Sequence, residues 1–181
     1  MKLLKALLFL SLMFGQTYTE GDIVDDFGAD ICYNGSEYWS WNTHGQNKVT
    51  WIASFATWWG PCQTEAPSIE EVYQAYSDNP YVEIVSAGMD WNQPYSCESW
   101  ATTLGLTYPI LDDGSGNNIY GLFGIGYVPH NVVIGGDGLV IYSNSGYNQN
   151  TMVAMIEEGL SNLVLDMDGD LSLIHISEPT R

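Results

Sequence analysis

Basic residues are almost absent from this sequence. Its 181 residues contain four Lys and Arg against 22 Asp and Glu, which gives a formal net charge of −18. Between Gly21 and Asp170 the only Lys or Arg is Lys48. Phosphate recognition needs clustered basic side chains, so the composition excludes a nucleic-acid partner and an anionic membrane surface. The excess of acids indicates solubility in a salty exterior, where ions screen the self-repulsion of the chain.

Long apolar runs are missing as well. The longest occupies residues 6–14, is interrupted only by Ser11, and follows Lys2 and Lys5 at the very start of the chain. It is too short for a helix that spans a bilayer, and its basic start is typical of a signal peptide. We therefore expect residues 1–19 to be a signal peptide that is removed on export to the bacterial periplasm or exterior. No stable membrane insertion is expected afterwards.

The other end of the sequence carries two unusual segments. Residues 171–181, LSLIHISEPTR, match the translation of a sequencing-library adapter, and we expect them to be foreign to the fold. In the acidic tail, residues 164–170, Asp166, Asp168 and Asp170 alternate as in the first half of a calcium loop, although solvation alone explains such a tail. One domain is therefore predicted over residues 20–163, which is long enough to form a hydrophobic core.

Cysteine is scarce, with Cys32, Cys62 and Cys97 alone in the chain. An exported protein meets an oxidising compartment, so one disulfide and one free thiol are expected. The sequence by itself leaves all the pairings of these cysteines open. His44 and His130 have no second ligand at metal-binding spacing, so neither a metal site nor a cofactor is predicted.

The pattern of elements predicts an α/β fold. Asn34 and Gly35 between two short apolar runs indicate an N-terminal β-hairpin. Strands and helices then alternate, beginning with a strand over residues 49–55 and a helix from Cys62 to about Tyr76. This order predicts three layers, with a central mixed sheet and helices on both of its faces.

Specific strings narrow the fold to one superfamily. Residues 55–62, FATWWGPC, follow a predicted strand and open a helix, and they resemble the thioredoxin-superfamily site, where a WCGPC string occupies that place. Residues 63–67 and 21–27 resemble the exported redoxin branch, of TlpA or AhpC/TSA type. Residues 126–129, GYVP, resemble the cis-proline loop that faces the cysteines. The resemblance covers residues 21–162, and it implies a thioredoxin-like fold acting on protein thiols or disulfides.

The sequence departs from this family at one position. Trp59 stands where the attacking cysteine is expected, and Cys62 matches the second, resolving cysteine. Two alternatives follow: Cys97 replaces the missing partner of Cys62, or Cys97 pairs with Cys32 and leaves Cys62 free. A helix N-terminus favours a thiolate, so we expect Cys62 to be the most reactive thiol in either case.

The leading prediction is an exported thioredoxin-like thiol–disulfide oxidoreductase, divergent or weakened because of Trp59. Its candidate catalytic residues are Cys62 and Cys97, and its candidate substrate-binding residues are Trp58, Trp59, Val128 and Pro129. One alternative is a non-catalytic domain that binds peptides through the same surface. The other is a peroxiredoxin-like peroxidase using Cys62 with Cys97, which is disfavoured because the region contains no Arg to polarise a peroxide.

Overall fold

The computed structural model describes residues 18–35, 37–114, 119–165 and 171–172. The strands are β1 (Gly28–Tyr33), β2 (Tyr38–Ser40), β3 (Val49–Ala56), β4 (Val82–Met89), β5 (Ile110–Asp112), β6 (His130–Ile134), β7 (Val140–Ser145), β8 (Val164–Leu165) and β9 (Leu171–Ser172). The helices are α1 (Gly60–Tyr76), α2 (Cys97–Leu104), α3 (Ile119–Phe123) and α4 (Gln149–Asn162), and a π-helical turn occupies Trp41–Gly45.

The first seven strands form one mixed sheet in the order β2-β1-β5-β4-β3-β6-β7. Strands β3, β4 and β5 run parallel, whereas β6 and β7 are antiparallel at one side and β1 and β2 at the other. All eight residues of β3 are buried, because β4 and β6 cover its edges and other elements cover both of its faces. The predicted α/β class with a mixed central sheet is confirmed.

Two apolar clusters lie on opposite faces of this sheet, and β3 supplies both through the alternation of its side chains. Trp51 and Phe55 point towards the cluster that contains Trp100 and residues of α1, α2 and α4. Ile52 points to the other cluster, which includes Phe123 of α3 and the tryptophans that precede β3. Helices therefore cover both faces, as the sequence predicts.

The N-terminal hairpin is also confirmed. β1 pairs antiparallel with β2, and Asn34 in the connecting turn adopts a positive φ of 57°. The packed unit already includes Tyr18, which is buried and whose backbone N–H donates to the Leu122 carbonyl at 2.6 Å. β8 and β9 form a separate two-stranded ribbon.

The terminal predictions fall largely outside the described residues. This holds for residues 1–17 of the expected signal peptide, for Asp166, Asp168 and Asp170, and for residues 173–181. The foreign origin of residues 171–181 stays a prediction. Within the described ranges, no helix is long and apolar enough to cross a bilayer.

Candidate functional site

The turn that joins β3 to α1 carries the candidate site. Helix α1 begins at Gly60 with Trp59 as its N-cap residue, and no side chain caps it. Pro61 lies in the first turn, where a missing N–H costs no hydrogen bond and a fixed φ suits the helix. The side-chain Nε2 of Gln63 donates to the Thr57 carbonyl at 3.0 Å and so links the turn to the helix that follows.

Two tryptophans are exposed on this turn. Trp58 and Trp59 are 51% and 42% exposed, and their ring centroids lie 5.6 Å apart with an interplanar angle of 66°. The indole Nε1 of Trp58 donates to Oδ2 of Asp90 at 2.9 Å, which holds that ring against the loop after β4. Adjacent exposed aromatic rings are typical of binding surfaces.

The loop that precedes β6 faces this turn, because β6 pairs with β3. The Val128–Pro129 peptide bond is cis, as the resemblance predicts. The loop is held from β7, since Ser145 Oγ donates to the Tyr127 carbonyl at 3.1 Å and the Gly146 N–H donates to the Pro129 carbonyl at 2.8 Å. The structure thus places the predicted cis-proline loop beside the predicted site.

The Val128–Pro129 loop contributes to two grooves, one through each residue. One, of about 340 Å³, is lined by Trp58, Trp59 and Val128 together with Tyr127 and Asp90. The other, of about 430 Å³, is lined by Pro61, Thr64, Glu65, Ser68, Pro129, Gly146 and Tyr147. Of the four predicted substrate-binding residues, Trp58, Trp59 and Val128 line the first groove and Pro129 lines the second.

The thiol of Cys62 is less accessible than the sequence suggests. Cys62 is free but only 2% exposed, and it lines a small internal cavity with Phe55 and Trp100. Burial raises the pKa of the Cys62 thiol to about 12, an effect that the Ala56 backbone opposes and that Glu65 reinforces. The expectation that Cys62 is an activated thiolate at a helix N-terminus is wrong here, because loss of hydration outweighs the backbone hydrogen bonds that lower its pKa.

Cys97 is bonded to Cys32, with their Cα atoms 6.2 Å apart. This corrects the expectation that Cys97 is the redox partner of Cys62 and selects the alternative in which Cys62 stays free. The physical reason is position: Cys32 on β1 lies against the start of α2, within the Cα separation that a disulfide requires. Because Cys97 is held in this disulfide, it cannot serve as the resolving thiol of a peroxidase that uses Cys62.

The sequence alone did not single out Glu65 as a site residue. Glu65 follows Cys62 by one helical turn, is 5% exposed, and lines the groove beside Pro129. Its Oε1 accepts from Asn131 Nδ2 at 3.0 Å, and the Oδ1 of Asn131 accepts from Trp51 Nε1 at 2.9 Å. Burial raises the pKa of Glu65 to about 7 despite the Asn131 hydrogen bond.

A sequence signal for Glu65 did exist. Spacing of three and four residues along α1 places Glu65 on the same face as Cys62 and Ile69, and that face is buried. An acid on an apolar helical face is rarely buried without a partner or a role. The position of Asn131, by contrast, becomes meaningful only once β6 is paired with β3.

These features together are those of a redoxin of the thioredoxin superfamily: a mixed sheet with a buried central strand, a WGPC string at the start of a helix, and a proline loop that faces it. Residues 21–143 match the sequence model of the AhpC/TSA family, and the chain belongs to that family.

Curated relatives are similar over part of their length. ResA, a thiol-disulfide oxidoreductase of Bacillus thuringiensis (strain Al Hakam), is 29% identical over 96 residues, which are 53% of this chain and 54% of ResA. YneN, a thioredoxin-like protein of Bacillus subtilis (strain 168), is 34% identical over 73 residues, 40% of this chain and 43% of YneN. The chain thus spans about half the length of the curated relatives it matches.

Solved structures share the fold. A thiol:disulfide interchange protein of the thioredoxin family from Chlorobium tepidum TLS superposes with a TM-score of 0.65 at 18% identity, over 80% of this chain and 99% of that one. A secreted disulfide oxidoreductase of Mycobacterium tuberculosis gives 0.58 at 19% identity, over 73% of this chain and 95% of that one. Both structures, like the two curated relatives, come from bacteria.

Proposed function

We propose that this chain is an exported bacterial thiol–disulfide oxidoreductase that acts on protein thiols or disulfides with a single redox sulfur, Cys62. The observation that carries the proposal is the position of the Val128–Pro129 loop, set against a helix start that bears Trp59 and Cys62. The names of the ResA relatives support the activity, and the AhpC/TSA membership supports the chemistry of a thiol.

A single sulfur allows half of the usual exchange cycle. The Cys62 thiolate attacks one sulfur of a partner disulfide, a Cys62–partner disulfide forms, and the other partner sulfur leaves as a thiolate. Trp59 supplies no second sulfur, so a thiol from the partner or from a small molecule must release Cys62. Because Cys62 is buried and protonated near neutral pH, the first step requires local opening and is slow.

Export rests on separate support. The sequence begins with the basic and apolar pattern of a signal peptide, and the chain contains a disulfide, which persists in oxidising compartments. One structural relative is described as secreted. The surplus of acids suits a protein that works outside the cell in salt.

The test is capture of the exchange intermediate. The protein is incubated with a peptide carrying a mixed disulfide to an aromatic thiol, and adducts are mapped by mass spectrometry over time. We expect an adduct on Cys62 that a small thiol releases, and none with Cys62→Ser. The proposal is wrong if the native chain forms no Cys62 adduct while the urea-unfolded chain forms it readily.

A second candidate function is a peptide-binding domain without chemistry. It is favoured by one observation, the 2% exposure of Cys62 together with its raised pKa. Repeating the incubation with a cysteine-free peptide of the same sequence separates the two functions. A binding domain without chemistry holds the cysteine-free peptide as well as it holds the disulfide peptide. Adduct formation on native Cys62 would then be absent.

A further inference from the structure

We propose that the groove between Trp58, Trp59 and Tyr127 binds a cationic side chain, preferably Arg, of an extended segment in the partner polypeptide. This groove is called the aromatic groove below. The inference deepens the proposed function, on which it rests for the polypeptide nature of the partner, by naming the side chain that is recognised. Sulfur chemistry is not required for it.

The aromatic groove offers ring surfaces to a ligand. Trp58 and Trp59 meet edge to face, and Tyr127 across the groove is 74% exposed. The faces of indole and phenol rings attract cations placed over them, and Trp does so best. Arg stacks flat on such rings, whereas Lys offers only a point charge. Trp59 thus presents an aromatic binding surface at the start of α1.

A fixed carboxylate lines the same groove. Asp90 is exposed, and its Oδ2 accepts from Trp58 Nε1 at 2.9 Å. Its backbone adopts a φ of 57°, and its carbonyl accepts from the buried Thr57 hydroxyl at 2.8 Å. The carboxylate is therefore held beside the indole ring, where a guanidinium can stack on the ring and pair with the acid together.

No Lys or Arg lines the aromatic groove among the residues that the structure describes. In the part of the chain that the structure describes, Lys48 is the sole Lys or Arg, and its Nζ pairs with Glu83 Oε2 at 2.8 Å. Lys48 precedes β3, whereas the aromatic groove lies after the other end of that strand. The surplus of acids, a formal net charge of −18, attracts a basic segment over the roughly 8 Å that physiological salt leaves largely unscreened.

Other occupants fit the aromatic groove less well. A purely apolar side chain would bury the Asp90 carboxylate with the Trp58 indole N–H as its neutral partner and no counter-charge, which costs the hydration of a charged group. An acidic side chain would be repelled by the same carboxylate. A cation with an apolar stem satisfies both the rings and the acid, and among side chains Arg and Lys have that form.

The experiment measures binding of two short cysteine-free peptides that differ at one central residue, Arg or its uncharged isostere citrulline. Affinity is followed by fluorescence anisotropy at physiological salt. We expect the Arg peptide to bind about tenfold more tightly than the citrulline peptide. Trp59→Ala and Asp90→Asn should each remove most of that difference.

Two matched controls keep the test sharp. Asp78→Asn removes the same charge from an exposed position beyond the far end of α1, and Tyr38→Ala removes an exposed aromatic ring from β2. Neither should change the preference for Arg. Equal binding of both peptides, or an Asp78→Asn effect as large as that of Asp90→Asn, would overturn the proposal.

The outcome is independent of exchange chemistry. Cys62→Ser should keep the preference for Arg, because the thiol is buried away from the aromatic groove. If Arg is preferred and no Cys62 adduct ever forms, the proposed function fails and this inference stands. If the adduct forms and no preference is seen, the inference fails and the proposed function stands.

Discussion

Two helices of this protein begin with a cysteine in the first turn, and the two cysteines have opposite fates. Cys62 is the third residue of α1, which begins at Gly60 and whose N-cap residue Trp59 provides no side-chain cap. Cys97 is the first residue of α2, where Ser96 Oγ accepts from the Ser99 N–H at 3.1 Å. Cys97 is bonded to Cys32, whereas Cys62 is free and buried.

The difference shows that a helix start does not by itself determine the chemistry of a thiol. At α2 the neighbouring strand β1 offers a second sulfur within reach, and a disulfide results. At α1 the N-cap residue is Trp59, which carries no sulfur, and the core closes over Cys62. The helix dipole acts at both places, and solvation and the neighbouring side chains decide the outcome.

The largest predicted contrast concerns the reactivity of Cys62. Its pKa rises from the ordinary 9.0 to about 12, so the thiolate is scarce at pH 8. We expect iodoacetamide to modify the native chain about a thousandfold more slowly than the urea-unfolded chain. The disulfide removes the other two cysteines from the readout. Alkylation of the native chain at the rate of a free thiol would contradict the burial of Cys62.

The second prediction removes the bond at α2. The Cys32–Cys97 disulfide closes a loop with a sequence separation of 65 residues. The double variant Cys32→Ser/Cys97→Ser should lose about 4 kcal/mol of unfolding free energy in urea, because its unfolded chain is no longer constrained. Adding dithiothreitol should destabilise the parent by a similar amount and leave the variant unchanged. Since the variant retains Cys62 alone, a response of the variant to the reductant would mean that a bond between two chains through Cys62, and not the Cys32–Cys97 bond, carries the effect.

The third prediction concerns Glu65, which lies one turn after Cys62 in α1. Glu65 has a pKa of about 7 in the folded state against an ordinary 4.5, so the folded chain keeps a proton that the unfolded chain releases. Stability therefore falls as the pH rises from about 4.5 to about 7, by up to about 3 kcal/mol. Glu65→Gln should remove this fall.

Urea unfolding of Glu65→Gln and of the parent at a series of pH values measures the effect. Asp113, whose pKa burial raises to about 6, titrates in the same window and contributes equally to both proteins. The exposed Glu158→Gln is the matched control and should follow the parent. A variant with the pH dependence of the parent would mean that Glu65 stays charged in the folded state.

The fold and the backbone elements around the site could be predicted from the sequence. The disulfide pairing and the pKa of the free thiol could not. The WGPC string and Pro129 are local signals, and a strand-to-helix turn and an X–Pro loop follow from them. The pairing of Cys32 with Cys97 depends on how β1 packs against α2, which no local pattern encodes. The pKa of Cys62 depends on burial by Phe55 and Trp100 from distant parts of the chain.

The position of Asp90 in the aromatic groove could not be predicted from the sequence for the same reason. It follows β4 and meets Trp58 only because β4 and β3 run parallel and end at the same edge of the sheet. The sequence shows an acid and an aromatic pair in separate segments. Their partnership is a property of the topology, as is the hydrogen bond between Asn131 and Glu65.

The smallest predicted effect would make α1 a two-sulfur site. Trp59→Cys places a thiol at the 42%-exposed N-cap position, one turn before Cys62, at the spacing that a disulfide can bridge. This thiol lies at the helix N-terminus without the burial that raises the pKa of Cys62, so it can attack a partner disulfide while Cys62 resolves the product. We expect reduction of insulin by dithiothreitol to be accelerated about tenfold over the parent protein.

Trp59→Ser is the matched control, since it removes the same ring without adding a sulfur, and it should stay at or below the parent rate. If Trp59→Cys forms the new disulfide and still fails to exceed Trp59→Ser, then the missing sulfur is not what separates α1 from an active redox helix. The burial of Cys62 would then be the barrier.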